Sequence, residues 1–378
     1  MLEFPGNIRV PQSVMVGSVG RNTGKTEFAC ALIRSLARRT RVFAVKVTTI
    51  YEGRVSCVRG DEGCGVCTSM DCEWLLTEEF NKDRAKDTSR MLAAGADRVW
   101  WLRVREGSLA DAARELTRLI PEGGVLVFES NSIRRVCEPD LFFMLGDPAV
   151  GEVKESARSA LKEVDRVVAF DGRSFNFDVE SVALKIGRCV YPRDAGAIVL
   201  AGGRSSRMGT DKRLLNIDGL PLVEHVYRRL EGTVGEVLVS VAGAACPGIP
   251  GARRIVDRFG NAGPMGGVAS ALEQSRYDVN FVTACDIPAV PLGFIGSLLR
   301  RSRNHQVVVP VDEAGRYEPL FAVYSKSVLP RLRRLLEDGE RRIRMLYDQV
   351  DTCRIDIPPG IDLRNLNTKA DYRAYLAG

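Results

Sequence analysis

A chain of 378 residues, 45% of them hydrophobic, is long enough for two domains with cores of their own. Lysine and arginine number 54 against 48 aspartates and glutamates, and a net charge of +6 suits an anionic small molecule while excluding the dense basic stripe of a nucleic-acid binder. No stretch approaches the roughly 20 apolar residues of a membrane span, and MLEFPGNIRV lacks the basic-then-apolar order of an export signal, so a cytoplasmic protein with no membrane partner is expected. In such a chain the ten cysteines read as thiols or metal ligands, and two histidines, His225 and His305, argue against catalysis built on a histidine base.

From residue 13, short β-branched runs alternate with helical stretches. SVMVGSV, RVFAVKV, RVWWLRV, GVLVFES, LFFMLGD and RVVAFDG predict strands, with EFACALIRSLARR and DAARELTRLI as helices among them. FNFDVESVALKIGRCVYPRDAG has few helix signals and marks a boundary near Arg193. The pattern then restarts with strands GAIVLAGG, VGEVLVSVAG, ARRIVDR, VNFVTACD and QVVVPVD and helices PLVEHVYRRLEG and GGVASALEQS. The expected fold class is therefore α/β, with mainly parallel sheets covered by helices on both faces: two three-layer α/β/α domains, over 1–193 and 194–378.

GSVGRNTGKTEF, residues 17–28, follows an apolar strand and opens a helix, the setting in which backbone N–H groups face a phosphate. Lys25 would reach the β- and γ-phosphates, Thr26 would put its hydroxyl on Mg²⁺, and Gly20 and Gly24 would let the backbone turn around the anion. Val19 stands where the standard pattern has glycine, with Gly20 beside it as compensation. Glu129, ending GGVLVFE, is placed to hold Mg²⁺ or orient a water; the alternative is a solvated strand-end carboxylate.

CVRGDEGCGVCTSMDC, residues 57–72, gathers Cys57, Cys64, Cys67 and Cys72 in one short loop. Such a loop suits tetrahedral Zn²⁺ or an iron–sulfur cluster, the alternative being reduced surface thiols, because the spacing matches no standard finger.

LAGGRSSRMGTDK, residues 200–212, follows a second apolar strand but is no P-loop. Nucleotidyl transfer needs an α-phosphate open to attack and cations to neutralise the charge that builds on the phosphoryl oxygens and the leaving pyrophosphate. Leu200, Ala201, Gly202 and Gly203 let backbone approach a nucleotide, and Arg207 and Lys212 bring fixed positive charge. Asp286 ends the strand VNFVTA, where open α/β sheets bind ligands and Mg²⁺ can bridge phosphates; a simple strand-end cap is the alternative. Cys285 beside it reads as packing.

These loops carry two resemblances. The first half, over about 14–128, resembles the P-loop adaptor family of molybdopterin guanine dinucleotide biosynthesis (MobB-type), on the phosphate loop, on VFAVKV and on KDTSRMLAAGA; it departs from the family in ESNS after the acidic strand and in lacking a histidine after the second strand. That resemblance implies a P-loop NTPase-like domain that binds GTP. From residue 196 onward the chain resembles the molybdenum cofactor guanylyltransferases (MobA-type), on L-A-G-G-x-x-x-R-M-G-x-D-K, IVDRFGNAGPMGG, FVTACDIP, YEPLFAVY and LRNLNTKADY. This second resemblance implies a Rossmann-like nucleotidyltransferase domain.

It further implies that Asp257, Gly263 and Pro264 lie on the nucleoside, that Asp286 ligates Mg²⁺, and that Asn365 and Asn367 line the pterin side. The reaction implied is GMP transfer from GTP to molybdopterin, already carrying molybdenum, with release of pyrophosphate. Molybdoenzymes or their chaperones are the implied recipients. Ala242 and Gly243 stand where the family presents an asparagine to the purine, which keeps CTP open as the alternative to GTP. A sugar-phosphate acceptor, or a GTP-switched carrier with a degenerate catalytic domain, are the rival readings.

Overall fold

The computed structural model describes residues 8–20, 23–51, 70–147, 155–158, 160–202, 211–242, 249–259 and 262–377. The chain divides into two compact units, Met1–Val190 and Tyr191–Gly378. No helix among the described residues is long and apolar enough to cross a membrane.

In the first unit the elements run β1 (Ile8–Ser18), α1 (Lys25–Leu36), β2 (Arg41–Ile50), β3 (Trp74–Glu79), α2 (Asp87–Ala93), β4 (Arg98–Arg105), α3 (Leu109–Leu119), β5 (Gly124–Glu129), β6 (Cys137–Leu145), α4 (Glu155–Arg158) and β7 (Arg166–Val168). Seven strands form one sheet in the order β3-β4-β2-β5-β1-β6-β7, parallel except where β3 runs antiparallel to β4. Successive side chains alternate between its faces. Met15, Phe43, Leu102 and Phe128 pack with Leu109, Ala112, Ala113 and Leu116 of α3, whose buried residues recur at three- and four-residue spacing. On the other face Phe28 of α1 meets Phe143 of β6 edge-on at 5.4 Å. Helices therefore cover both faces.

Three features differ from expectation. β3 carries no alternation signal, because this edge strand is half-buried along its whole length. RVVAFDG is strand only over Arg166–Val168. The segment read as a boundary holds a hairpin, β8 (Ala183–Lys185) and β9 (Arg188–Val190), that belongs to the first unit.

The second unit runs β10 (Arg193–Leu200), a small hairpin of β11 (Asn216–Ile217) and β12 (Leu220–Pro221), α5 (Leu222–Leu230), β13 (Val234–Val241), β14 (Arg253–Val256), α6 (Pro264–Gln274), β15 (Val279–Ala284), α7 (Leu292–Arg301), β16 (Val307–Val311), β17 (Phe321–Ser325), α8 (Leu329–Glu337), β18 (Thr352–Asp356) and α9 (Lys369–Ala377). Its sheet order is β14-β13-β10-β15-β17-β16-β18, with β17 antiparallel to both neighbours and the other pairs parallel. Ile198, Leu238, Val282 and Ala322 face α6 and α8 in one buried cluster. Phe281 and Phe321 point the other way, where Phe294 of α7 stacks on Phe321.

Candidate functional site

In the second unit the register of β10 and β15 pairs Leu200 with Ala284, so the two strands end side by side. The amide of Ala201 donates to the Ser240 carbonyl at 2.7 Å and that of Cys285 to the Leu200 carbonyl at 3.0 Å. These bonds fix Leu200 and Ala201, both buried, and the Asp286 turn along one carboxyl-terminal edge, with Gly202 exposed beyond them.

Lys212 begins a short 3-10 turn whose N-cap, Asp211, accepts from the Arg213 amide. Its Nζ donates to Asn367 Oδ1 at 2.8 Å and lies 3.5 Å from Asp286 Oδ2. The Leu366 amide in turn donates to the Asp286 carbonyl at 2.8 Å, tying the Asn365–Asn367 segment to the strand end. Three residues far apart in sequence, Lys212, Asp286 and Asn367, thus meet at one point, with Asn365 half-buried nearby. Burial pushes the Asp286 carboxyl above the usual carboxylate range, and Lys212 works against that shift. Asp286 Oδ1 is buried without a hydrogen-bond partner. An oxygen in that state fits a cation, since Mg²⁺ is commonly held by one or two carboxylates together with substrate phosphates.

Asp257 lies just past β14, where its Oδ1 accepts from the Phe259 amide at 2.9 Å and from Ser270 Oγ of α6 at 3.1 Å. Gly263 caps α6 at φ 65° and Pro264 is its first residue, both exposed. Cys285 is buried. Gly203, Arg207 and Gly243 lie outside the described residues.

In the first unit Gly24 caps α1 at φ 79°, a left-handed conformation, and a Cβ there would fall 2.4 Å from the Phe170 ring. Only glycine satisfies both conditions without strain. Lys25 and Thr26 then open α1. Thr26 Oγ1 donates to Glu129 Oε2 at 2.9 Å, Lys46 donates to Oε1 at 3.0 Å, and Lys25 Nζ stands 3.7 Å from the same Oε1. Burial pushes the Lys25 amine down, with Glu129 opposing.

Glu129 is only 2% exposed, which overturns the alternative of a solvated strand-end carboxylate. Gly20 accepts from Ser18 Oγ at 3.1 Å, and Thr23 Oγ1 is buried without a partner. Asn131 of the departing ESNS stretch clamps the end of β1, accepting from the Ser18 amide at 2.7 Å and donating to its carbonyl at 2.8 Å.

Sequence reasoning missed Lys46, Asn131 and Phe170. Lys46 had a signal: a lysine between Val45 and Val47 interrupts the buried apolar run of residues 42–47. Of the cysteine loop, Cys57, Cys64 and Cys67 lie outside the described residues; Cys72 is exposed, its thiol 3.1 Å from the Trp74 carbonyl. Among the described residues no three or more His, Cys, Asp or Glu side chains gather as a metal site.

Residues 197–353 match the family model described as a MobA-like NTP transferase domain, so the second unit is an NTP transferase domain. The chain is 33% identical over 188 residues to the probable molybdenum cofactor guanylyltransferase of Carboxydothermus hydrogenoformans, covering 47% of this chain and 93% of that protein. It is 32% identical over 190 residues to the molybdenum cofactor guanylyltransferase of Vibrio cholerae, covering 49% and 93%. The crystal structure of molybdopterin-guanine dinucleotide biosynthesis protein A from Archaeoglobus fulgidus aligns with a TM-score of 0.41 and 21% identity, over 47% of this chain and 95% of that one. The chain belongs to the molybdenum cofactor guanylyltransferase family.

Proposed function

We propose that the second unit transfers GMP from GTP to the phosphate of molybdopterin. The observation that carries this reading, within a chain of that family, is the convergence of Lys212, Asp286 and Asn367 at the ends of β10 and β15. A phosphate oxygen of the pterin attacks the α-phosphorus of GTP. The bond from that phosphorus to the β-phosphate bridging oxygen breaks, and pyrophosphate leaves with its electron pair, so no covalent enzyme intermediate is needed. Lys212 supplies charge where negative charge builds, and Asn367 holds its ammonium in place. Asp286 would hold Mg²⁺ through the oxygen that no protein donor uses. Bound there, the metal would supply positive charge to the phosphates. Arg207 adds a second fixed cation, Leu200, Ala201, Gly202 and Gly203 border the nucleotide, Asp257, Gly263 and Pro264 the nucleoside, and Asn365 with Asn367 the pterin.

The first unit is read as a P-loop GTP-binding accessory domain of the MobB type, which assists delivery of the finished cofactor to molybdoenzymes. The supporting observation is the set of Lys25, Thr26 and Glu129 at the start of α1. Its test is stoichiometry. Calorimetric titration of the full chain with GTP and Mg²⁺ is expected to find one nucleotide per unit, and Lys25→Ala to remove the first unit's share. A stoichiometry that Lys25→Ala leaves unchanged would reject the accessory site. Zinc or an iron–sulfur cluster on Cys57, Cys64, Cys67 and Cys72 is tested by the metal content of the purified protein before and after replacement of the four by serine.

A further inference from the structure

Lys46 is a charged residue in a core strand, its side chain 11% exposed between buried Val45 and Val47. Strand register sets it opposite Glu129 of β5. Of the two lysines on that carboxylate, Lys46 is the closer, at 3.0 Å against 3.7 Å for Lys25, although no phosphate-loop pattern asks for it. It also pairs with Asp87, the first residue of α2. Two lysines and two carboxylates make a neutral cluster. Taking such charges out of water gains little over apolar side chains, so folding alone does not account for a lysine at this position.

We propose that Lys46 is a second phosphate-contacting cation of the first unit's nucleotide site, taking the outermost phosphate of a nucleoside triphosphate, and that Asp87 holds it while that phosphate is absent. The inference rests on the GTP-binding reading of the first unit. The first amides of α1 and Lys25 serve the phosphates nearest the helix. In the sheet, β5 lies between β1 and β2, so Lys46 reaches in from beyond Glu129. The phosphate that meets it is therefore the one farthest along the chain. Asp87 is the partner to be given up, its side chain 32% exposed against 1% for Glu129. Occupancy of the outermost phosphate position is thereby reported to α2.

The experiment is titration of the full chain with GTP and with GDP, in a background carrying Lys212→Ala and Asp286→Ala to disable the second unit's site. Lys46→Met, which keeps the side-chain length, is expected to weaken GTP by about tenfold, the worth of one charge-assisted contact, while GDP changes by less than about twofold. An equal loss for both nucleotides, or no loss for either, would overturn the proposal. Asp87→Asn, at the half-buried start of α2, changes charge but not size and keeps the test open should Lys46→Met fold poorly. It is expected to tighten GTP relative to GDP, and a change in the opposite direction overturns the proposal as well. If neither nucleotide binds this background, or Lys25→Ala leaves both unchanged, the GTP-binding reading itself fails and takes the role of Lys46 with it.

Discussion

Replacing Asp286 with alanine is expected to lower kcat/KM for pyrophosphate release from GTP and molybdopterin by about 10²–10³, the usual cost of losing one group that stabilises developing charge. The loss should come without loss of fold. Asp286 Oδ1 is buried and unpartnered, and its carboxyl is held above the usual range by that burial, so removing it relieves a desolvated oxygen. A thermal melt close to wild type alongside a collapsed rate is the expected pair of results. Lys212→Ala should act in the same direction. Because Lys212 and Asp286 stand 3.5 Å apart and would serve one transition state, the double variant is expected to be scarcely worse than the poorer single one. Full additivity would show two independent roles and sink the shared site. GTP is expected to support release where CTP does not; release with CTP would overturn the base assignment and leave the mechanism standing.

The elements that could be read from sequence are those whose burial is one-sided or complete. The strands ending at Leu200, Glu129 and Ala284 are apolar runs stopped by glycine or by a carboxylate, and all three are strands with their ends at a site. β3 escaped because an edge strand of intermediate exposure throughout loses the period-two contrast on which such reading depends. The grouping of Lys212, Asp286 and Asn367 was legible only as separate motifs. The hydrogen bond from the Leu366 amide to the Asp286 carbonyl, which brings the last of them in, spans eighty residues of chain that no local pattern reports. Asn131 and Phe170 were illegible for another reason. Each acts on backbone, clamping Ser18 or filling the space beside Gly24, so its residue type is set by a neighbour's shape.

Asp140→Ala is expected to cost the first unit about 1–3 kcal/mol, the magnitude seen when a buried acceptor is removed and its donors are left unpaired. Asp140, on β6, accepts from the Cys189 amide at 2.9 Å, pairs with Arg188 at 2.8 Å and accepts from the backbone of Gln12 and Ser13. Gln12, at φ 52°, sits in the register shift of β1 between Val10 and Val14. One carboxylate therefore joins the β8–β9 hairpin to the irregular start of β1, the strand that precedes Gly24 and α1. Burial nevertheless pushes its carboxyl up to about 6, against about 3.9 in an unfolded chain. Between those two values the folded state binds the proton and the unfolded state does not, so the contribution of Asp140 is greatest below pH 4 and falls as pH rises toward 6. All three tryptophans, Trp74, Trp100 and Trp101, lie in the first unit, so their fluorescence follows its denaturation alone. Urea midpoints measured this way should decline from pH 4 to pH 6.5 more steeply in wild type than in Asp140→Asn, which cannot titrate. Parallel slopes would mean that this carboxylate is ionised throughout, and that its four partners outweigh its burial.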